Sequence, residues 1–86
     1  MMYYVYILYS SKIDKYYIGY SENPKKRLEF HNSTFNKIWS KRGQPWKLKL
    51  TLAFNSKREA LRSEKLIKGK KSRAYTEAVI EAKRIL

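Results

Sequence analysis

The apolar positions of this chain fall into a few runs of distinct period. Tyr3–Tyr9 (YYVYILY) is almost continuously apolar and rich in aromatic and β-branched side chains. Such a run reads as a strand covered on both faces, hence central in its sheet. Tyr16–Tyr20 is a second run of this kind. The polar segment Ser10–Lys15 between them makes the pair a β-hairpin with a longer loop. Gly19, near the end of the second run, allows a kink or a close approach because it has no Cβ. Trp46–Phe54 (WKLKLTLAF) alternates instead. It predicts a half-buried strand with Trp46, Leu48, Leu50, Leu52 and Phe54 on one face and Lys47, Lys49 and Thr51 on the other.

Helical periods lie between and after the strands. Asn23 is a good N-cap and Pro24 suits the first helical position, which predicts a helix from about Pro24 to Asn32. Arg27, Leu28 and His31 share one face of it, an unusual mixture for an inward face. Asn32–Gln44 is polar and basic, with Phe35, Ile38 and Trp39 scattered through it. It reads as a short helical turn and a loop. Ser56–Glu59 is a capping box that opens a helix to about Lys68, with Gly69 as its C-cap. Ala60, Leu61 and Ile67 form its apolar stripe, and Glu64 falls on that stripe. A lone buried carboxylate is costly unless it is paired or binds a cation. A partner in Arg27, Arg62 or Lys68 and a bound metal are both open readings. Ser72 caps a last helix from about Arg73 to Arg84, whose stripe of Tyr75, Ala78, Val79, Ala82 and Ile85 is core. The order β-β-α-β-α-α predicts an α+β fold: one domain over residues 1–86, with a three-stranded, mainly antiparallel sheet flanked by helices.

Charge narrows the partners. Twenty Lys and Arg face seven Asp and Glu, a formal net charge of +13. That field attracts polyanions and makes nucleic acid the leading partner class. Lys26, Lys41 and Arg42 are candidate phosphate contacts. So are Lys68, Lys70, Lys71 and Arg73, which surround the last interhelical turn. No run approaches the ~18 apolar residues of a membrane span, and the N-terminus has no signal-peptide pattern. A cytoplasmic protein without a membrane partner is therefore expected.

The chain has no cysteine, one histidine and one aspartate, Asp14. A His/Cys zinc site and a thiol nucleophile are excluded. Glu64 is the only acid expected to face inward, which disfavours a two-metal site. There is no phosphate-binding glycine loop. The inward or hairpin-borne polar groups are Tyr6, Tyr17, Arg27, His31 and Glu64. Their chemistry suits phosphodiester hydrolysis. A carboxylate can hold one Mg²⁺, an arginine can stabilise phosphoryl charge, and histidine and tyrosine can pass protons.

These residues resemble the GIY-YIG nuclease superfamily, in particular its small stand-alone bacterial members. The two motifs stand as Tyr4-Val5-Tyr6 and Tyr17-Ile18-Gly19. Arg27-Leu28 with His31, Pro45-Trp46-Lys47-Leu48, and Glu64 within EALRSEKLIK follow in the family's order. The resemblance implies a compact sheet-and-helix domain that cleaves DNA with a single Mg²⁺ (or Mn²⁺). Branched or damaged structures are among the expected substrates. It implies that Glu64 holds the metal and Arg27 contacts the scissile phosphate. Tyr6 and His31 would share activation of the water, and Tyr17 would hydrogen-bond the phosphate. Tyr4 replaces the first motif's glycine, Val5 its isoleucine, and no asparagine follows Asn55, where many family nucleases carry one. Most characterised members have a second DNA-binding domain, so a protein partner that supplies targeting is expected here. Two other readings fit the residues: a non-catalytic nucleic-acid-binding module on this scaffold, and a small RNA- or ribosome-associated basic protein.

Overall fold

The computed structural model describes residues Met1–Leu86. Strands β1 (Tyr3–Ser10), β2 (Lys15–Ser21) and β3 (Lys47–Phe54) form one antiparallel sheet in the order β2-β1-β3. The two-sided apolar run is thus the central strand, as its pattern requires. Helices α1 (Pro24–His31), α2 (Lys57–Lys70) and α3 (Arg73–Ala82) complete the fold, with a 3-10 turn at Trp39–Gly43.

The two faces of β1 serve different layers. Val5 and Ile7 pack with Ala60 and Ile67 of α2 and Val79 of α3 into the main core. Tyr6 and Leu8 point the other way and pack with Trp46, Tyr17 and Leu28 of α1. The sheet is therefore a wall between a core and what proves to be a polar, aromatic site.

The alternation in β3 predicts a single apolar face, and the structure divides it. Ile7 pairs with Leu50, but Leu8 pairs with Leu48, so Lys49 is an extra residue in a β-bulge. A one-residue slip sends every side chain beyond it to the opposite face. Leu50, Leu52 and Phe54 stay with the main core, whereas Trp46 joins Tyr6 and Leu8.

Local signals set most helix boundaries. The Asn23 side chain accepts the Lys26 N–H at 3.2 Å, and α1 ends at His31, one residue short of expectation. Ser56 Oγ accepts the Glu59 N–H at 3.1 Å and Ser72 Oγ the Tyr75 N–H at 3.1 Å. Two helix ends differ from the sequence reading. Gly69 lies inside α2, which ends with Lys71 in the left-handed conformation at φ 47°. Ser72 already caps α3, so the reversal falls on Lys71, the residue between that cap and the end of α2. Helix α3 stops at Ala82 rather than Arg84, with Lys83 left-handed at φ 58°.

Arg73, at the start of α3, ties the hairpin loop to the helical layer. Its guanidinium donates to the Asp14 carboxylate at 2.7 Å and carbonyl at 3.0 Å, and to Glu77 at 3.3 Å. Tyr9 also donates to Asp14. The chain's one aspartate is thereby committed to Arg73 and Tyr9, and His31 has Ser40 and Tyr6 as its partners instead. No helix is long and apolar enough to cross a membrane.

An added Cβ at Gly69 would meet nothing within 4 Å. Gly69→Ala is therefore expected to raise stability by about 0.5–1 kcal/mol, measured as the urea midpoint at constant m, because helical glycine loses more backbone freedom on folding than alanine.

Candidate active site

The site begins with Tyr6, which the central strand places directly opposite Gly19 of β2. A Cβ at Gly19 would stand 2.5 Å from the Tyr6 hydroxyl and 2.6 Å from Cζ. The absent side chain lets the Tyr6 ring lie across the neighbouring strand. Tyr6 is buried, and its hydroxyl lies 3.2 Å from His31 Nε2. Tyr17, the first residue of the second motif, stacks with Tyr6 at 6.2 Å between centroids and 23° between planes. It also touches the His31 ring at 4.3 Å. Three residues that looked separate in sequence thus form one aromatic cluster.

His31 is the last residue of α1 and fully buried. Its Nδ1 lies 2.9 Å from Ser40 Oγ. Asn36 Nδ2 donates to Ser40 Oγ at 2.8 Å and to the His31 carbonyl at 3.0 Å. Trp46 holds the loop that carries them: its indole N–H donates to the Ser40 carbonyl, and its backbone N–H to Asn32 Oδ1 at 2.6 Å. Both ring nitrogens of His31 are therefore engaged by hydroxyls, Nε2 by Tyr6 and Nδ1 by Ser40, and the Asn36 amide holds the second of them. Sequence reasoning missed Asn36 and Ser40. Polar residues in a basic loop are ordinarily solvated, and only their i,i+4 spacing next to Trp39 hinted otherwise.

Burial sets the protonation states. It lowers the His31 pKa from 6.5 to about 4, with the nearby Arg27 guanidinium acting in the same direction. Burial also raises the Tyr6 pKa. Arg27 beside it opposes the shift, and the Tyr17 phenol and the Glu64 charge add to it. At neutral pH the pair is a phenol against a neutral imidazole, joined by a hydrogen bond that can carry a proton.

Arg27 lies one helical turn before His31, its guanidinium 4.7 Å over the Phe30 ring. It has no carboxylate partner, since the three ion pairs of the protein involve only Lys68 and Arg73 as cations. Glu64 comes from α2 on the opposite layer, yet its charge is felt by Tyr6. Its side chain is only 14% exposed and pairs with Lys68 at 3.4 Å. One of the sequence's alternative partners is thus the real one, and Lys68 is itself half exposed and lines a groove with Tyr17.

A metal would find few donors. No group of three His, Cys, Asp or Glu side chains exists, and His31 is occupied at both nitrogens. Glu64 offers one hard carboxylate. That donor set fits a hydrated Mg²⁺, which keeps several waters and completes its shell with phosphate oxygens. It does not fit zinc.

The other basic candidates disperse. Lys26 lies exposed on α1, and Lys41 and Arg42 lie exposed on the 3-10 turn. Lys70 lies 5.4 Å over the Tyr75 ring. Arg73 is taken by Asp14 and Glu77, so its first role is structural. Lys68 and Lys71 line a groove beside Tyr17. Thr76, near where the family's asparagine would stand, is buried and bonds the Ser72 carbonyl at 3.3 Å.

A three-stranded antiparallel sheet with helices on both faces, and a Tyr–Tyr–His–Arg cluster on one of them, defines a GIY-YIG catalytic domain. The family model of that description matches residues 2–77. The chain belongs to the GIY-YIG family, an endonuclease superfamily whose substrate is nucleic acid. Within it, the chain is similar to small bacterial UPF0213 proteins. A Streptococcus agalactiae relative is 39% identical over 71 residues, covering 83% of this chain and 80% of the relative. A Bacillus licheniformis relative is 38% identical over 81 residues, covering 94% and 81%. The solution NMR structure of a Bacillus halodurans UPF0213 protein superposes with a TM-score of 0.62 at 34% identity, covering 96% of this chain and 86% of that one. The relatives' names carry no activity, metal or substrate.

Two measurements check the cluster. Gly19→Ala should force the Tyr6 ring aside and cost roughly 1–3 kcal/mol in denaturant unfolding, as overpacking of a filled site does. The single histidine gives an unambiguous NMR titration, expected at about 4 rather than 6.5. Because the folded pKa is the lower one, the neutral ring's contribution to stability is full above pH 6.5. It is lost as the pH falls through about 4.

Proposed function

We propose that this protein is a metal-dependent DNA endonuclease that hydrolyses phosphodiester bonds with one divalent ion, Mg²⁺ or Mn²⁺, at Glu64. The observation that carries the reading is the Tyr6 hydroxyl, held over Gly19 and bonded to a neutral His31 beside the unpaired Arg27. A binding module has no need of a buried proton-passing pair next to a carboxylate, which repels phosphate.

On this reading Arg27 binds the non-bridging phosphoryl oxygens, where charge grows in the transition state. As a water oxygen bonds to phosphorus and the phosphorus–ester oxygen bond breaks, the water's proton passes to the Tyr6 oxygen while the Tyr6 hydroxyl proton passes to His31 Nε2, and the leaving oxygen takes a proton from solvent. Tyr6 ends as it began and His31 carries the proton. This requires Nε2 to accept, so the Nδ1 proton is donated to Ser40 Oγ, which Asn36 holds in place. Tyr17 donates to the phosphate. Glu64 would hold the ion, which when bound would supply Lewis acidity. The phosphate's own negative charge favours the imidazolium and opposes the burial that depresses it.

The test uses supercoiled plasmid and branched oligonucleotides with Mg²⁺ or with a chelator. Wild-type protein is expected to nick DNA only with the ion. Glu64→Gln, Tyr6→Phe and His31→Gln should each lower the rate by ~10²-fold or more, with binding retained. Binding with no cleavage of any substrate would falsify the nuclease reading and leave a nucleic-acid-binding module.

A further inference from the structure

A groove of about 690 Å³ lies along β2, one of the two edge strands of the sheet. Its volume is in the range of clefts that enclose small organic groups, ~300–1,000 Å³. It is continuous with the candidate active site through Tyr17, which lines it and touches His31, and through Lys68, the partner of Glu64. Trp39 lines it too. This indole is 46% exposed although it packs against Tyr17 at 5.7 Å and Trp46 at 6.0 Å. Its backbone is anchored, because the next residue is the buried Ser40 that holds His31.

The lining is cationic as well as aromatic. Lys15 and Lys71 stand unpaired around the groove, Lys68 pairs there with Glu64, and the one acid in the lining, Asp14, is neutralised by Arg73. An exposed aromatic ring in a basic groove matches the chemistry of unpaired nucleotides. Their phosphates need cations, and their bases offer free faces for stacking that a duplex does not.

We propose that this groove binds single-stranded DNA, one unstacked base lying on Trp39 beside Tyr17, with the flanking phosphates on Lys15 and Lys71. The proposal names the substrate form of the nuclease described above and rests on that reading. A strand held this way enters the site next to Tyr17, so the phosphate presented to Arg27 and Tyr6 belongs to an unpaired stretch or to a junction that exposes one.

Binding separates the groove from the chemistry. The full chain carrying Glu64→Gln, in chelator, is titrated with fluorescein-labelled oligothymidylate and with a hairpin duplex at several salt concentrations. Adding Trp39→Ala should weaken oligothymidylate binding roughly tenfold or more, as loss of a base-stacking ring does, and leave duplex binding nearly unchanged. Trp39→Phe should restore most of the affinity. Replacing Lys15 and Lys71 together by Gln should reduce the slope of log affinity against log salt by about 1.4 on the single strand. An equal effect of Trp39→Ala on both DNAs, or no effect on either, overturns the proposal. So does an unchanged salt slope in the lysine variant, which keeps the test intact if Trp39→Ala is misfolded by circular dichroism. Absence of nicking by the wild type alongside the expected binding pattern would sink the nuclease reading alone. Nicking with an indifferent Trp39 would sink the groove alone.

Discussion

Everything at the candidate site depends on one steric permission, the missing side chain at Gly19. It lets a tyrosine on the central strand reach across the edge strand and place its hydroxyl beside His31. Any side chain at Gly19 would occupy the space of the ring. Tyr17 can then stack on Tyr6, and the imidazole has a partner on the side away from Ser40. The aromatic cluster is thus built on a contact between backbone and ring rather than on a polar bond.

The central strand also explains why site and core coexist in so short a chain. Alternate residues of β1 face opposite ways. Val5 and Ile7 supply apolar burial against α2 and α3, while Tyr6 and Leu8 supply the other layer. The bulge at Lys49 completes this division by releasing Trp46 to the second layer, where its indole and backbone fix the loop behind His31. A small domain has little apolar area to spare. Here the residues that stabilise the second layer are also those that orient the imidazole.

The parts legible in sequence are those governed by local rules. The two-sided run of Tyr3–Tyr9 placed β1 at the centre, and Asn23, Ser56 and Ser72 marked helix starts through side-chain caps that act within three residues. Tyr6, Tyr17, Arg27, His31 and Glu64 stood out as polar groups in apolar settings. What was hidden depends on distant partners. Lys49 looks like an ordinary outward residue, because a bulge is decided by pairing with β1. Asn36 and Ser40 look like loop residues, because their burial depends on Trp46 closing over them. Gly69 invited a helix end that the cap of the next helix had already placed two residues later.

Burial of the sole histidine has a consequence for how the protein meets its surroundings. A ring that titrates at about 4 does not change charge anywhere in the ordinary physiological range. The acidity of the medium is therefore not a signal this site can read. Burial keeps the imidazole uncharged, and on the nuclease reading only a bound phosphate's field would favour its protonation. The empty site is thus a poor acceptor of stray protons.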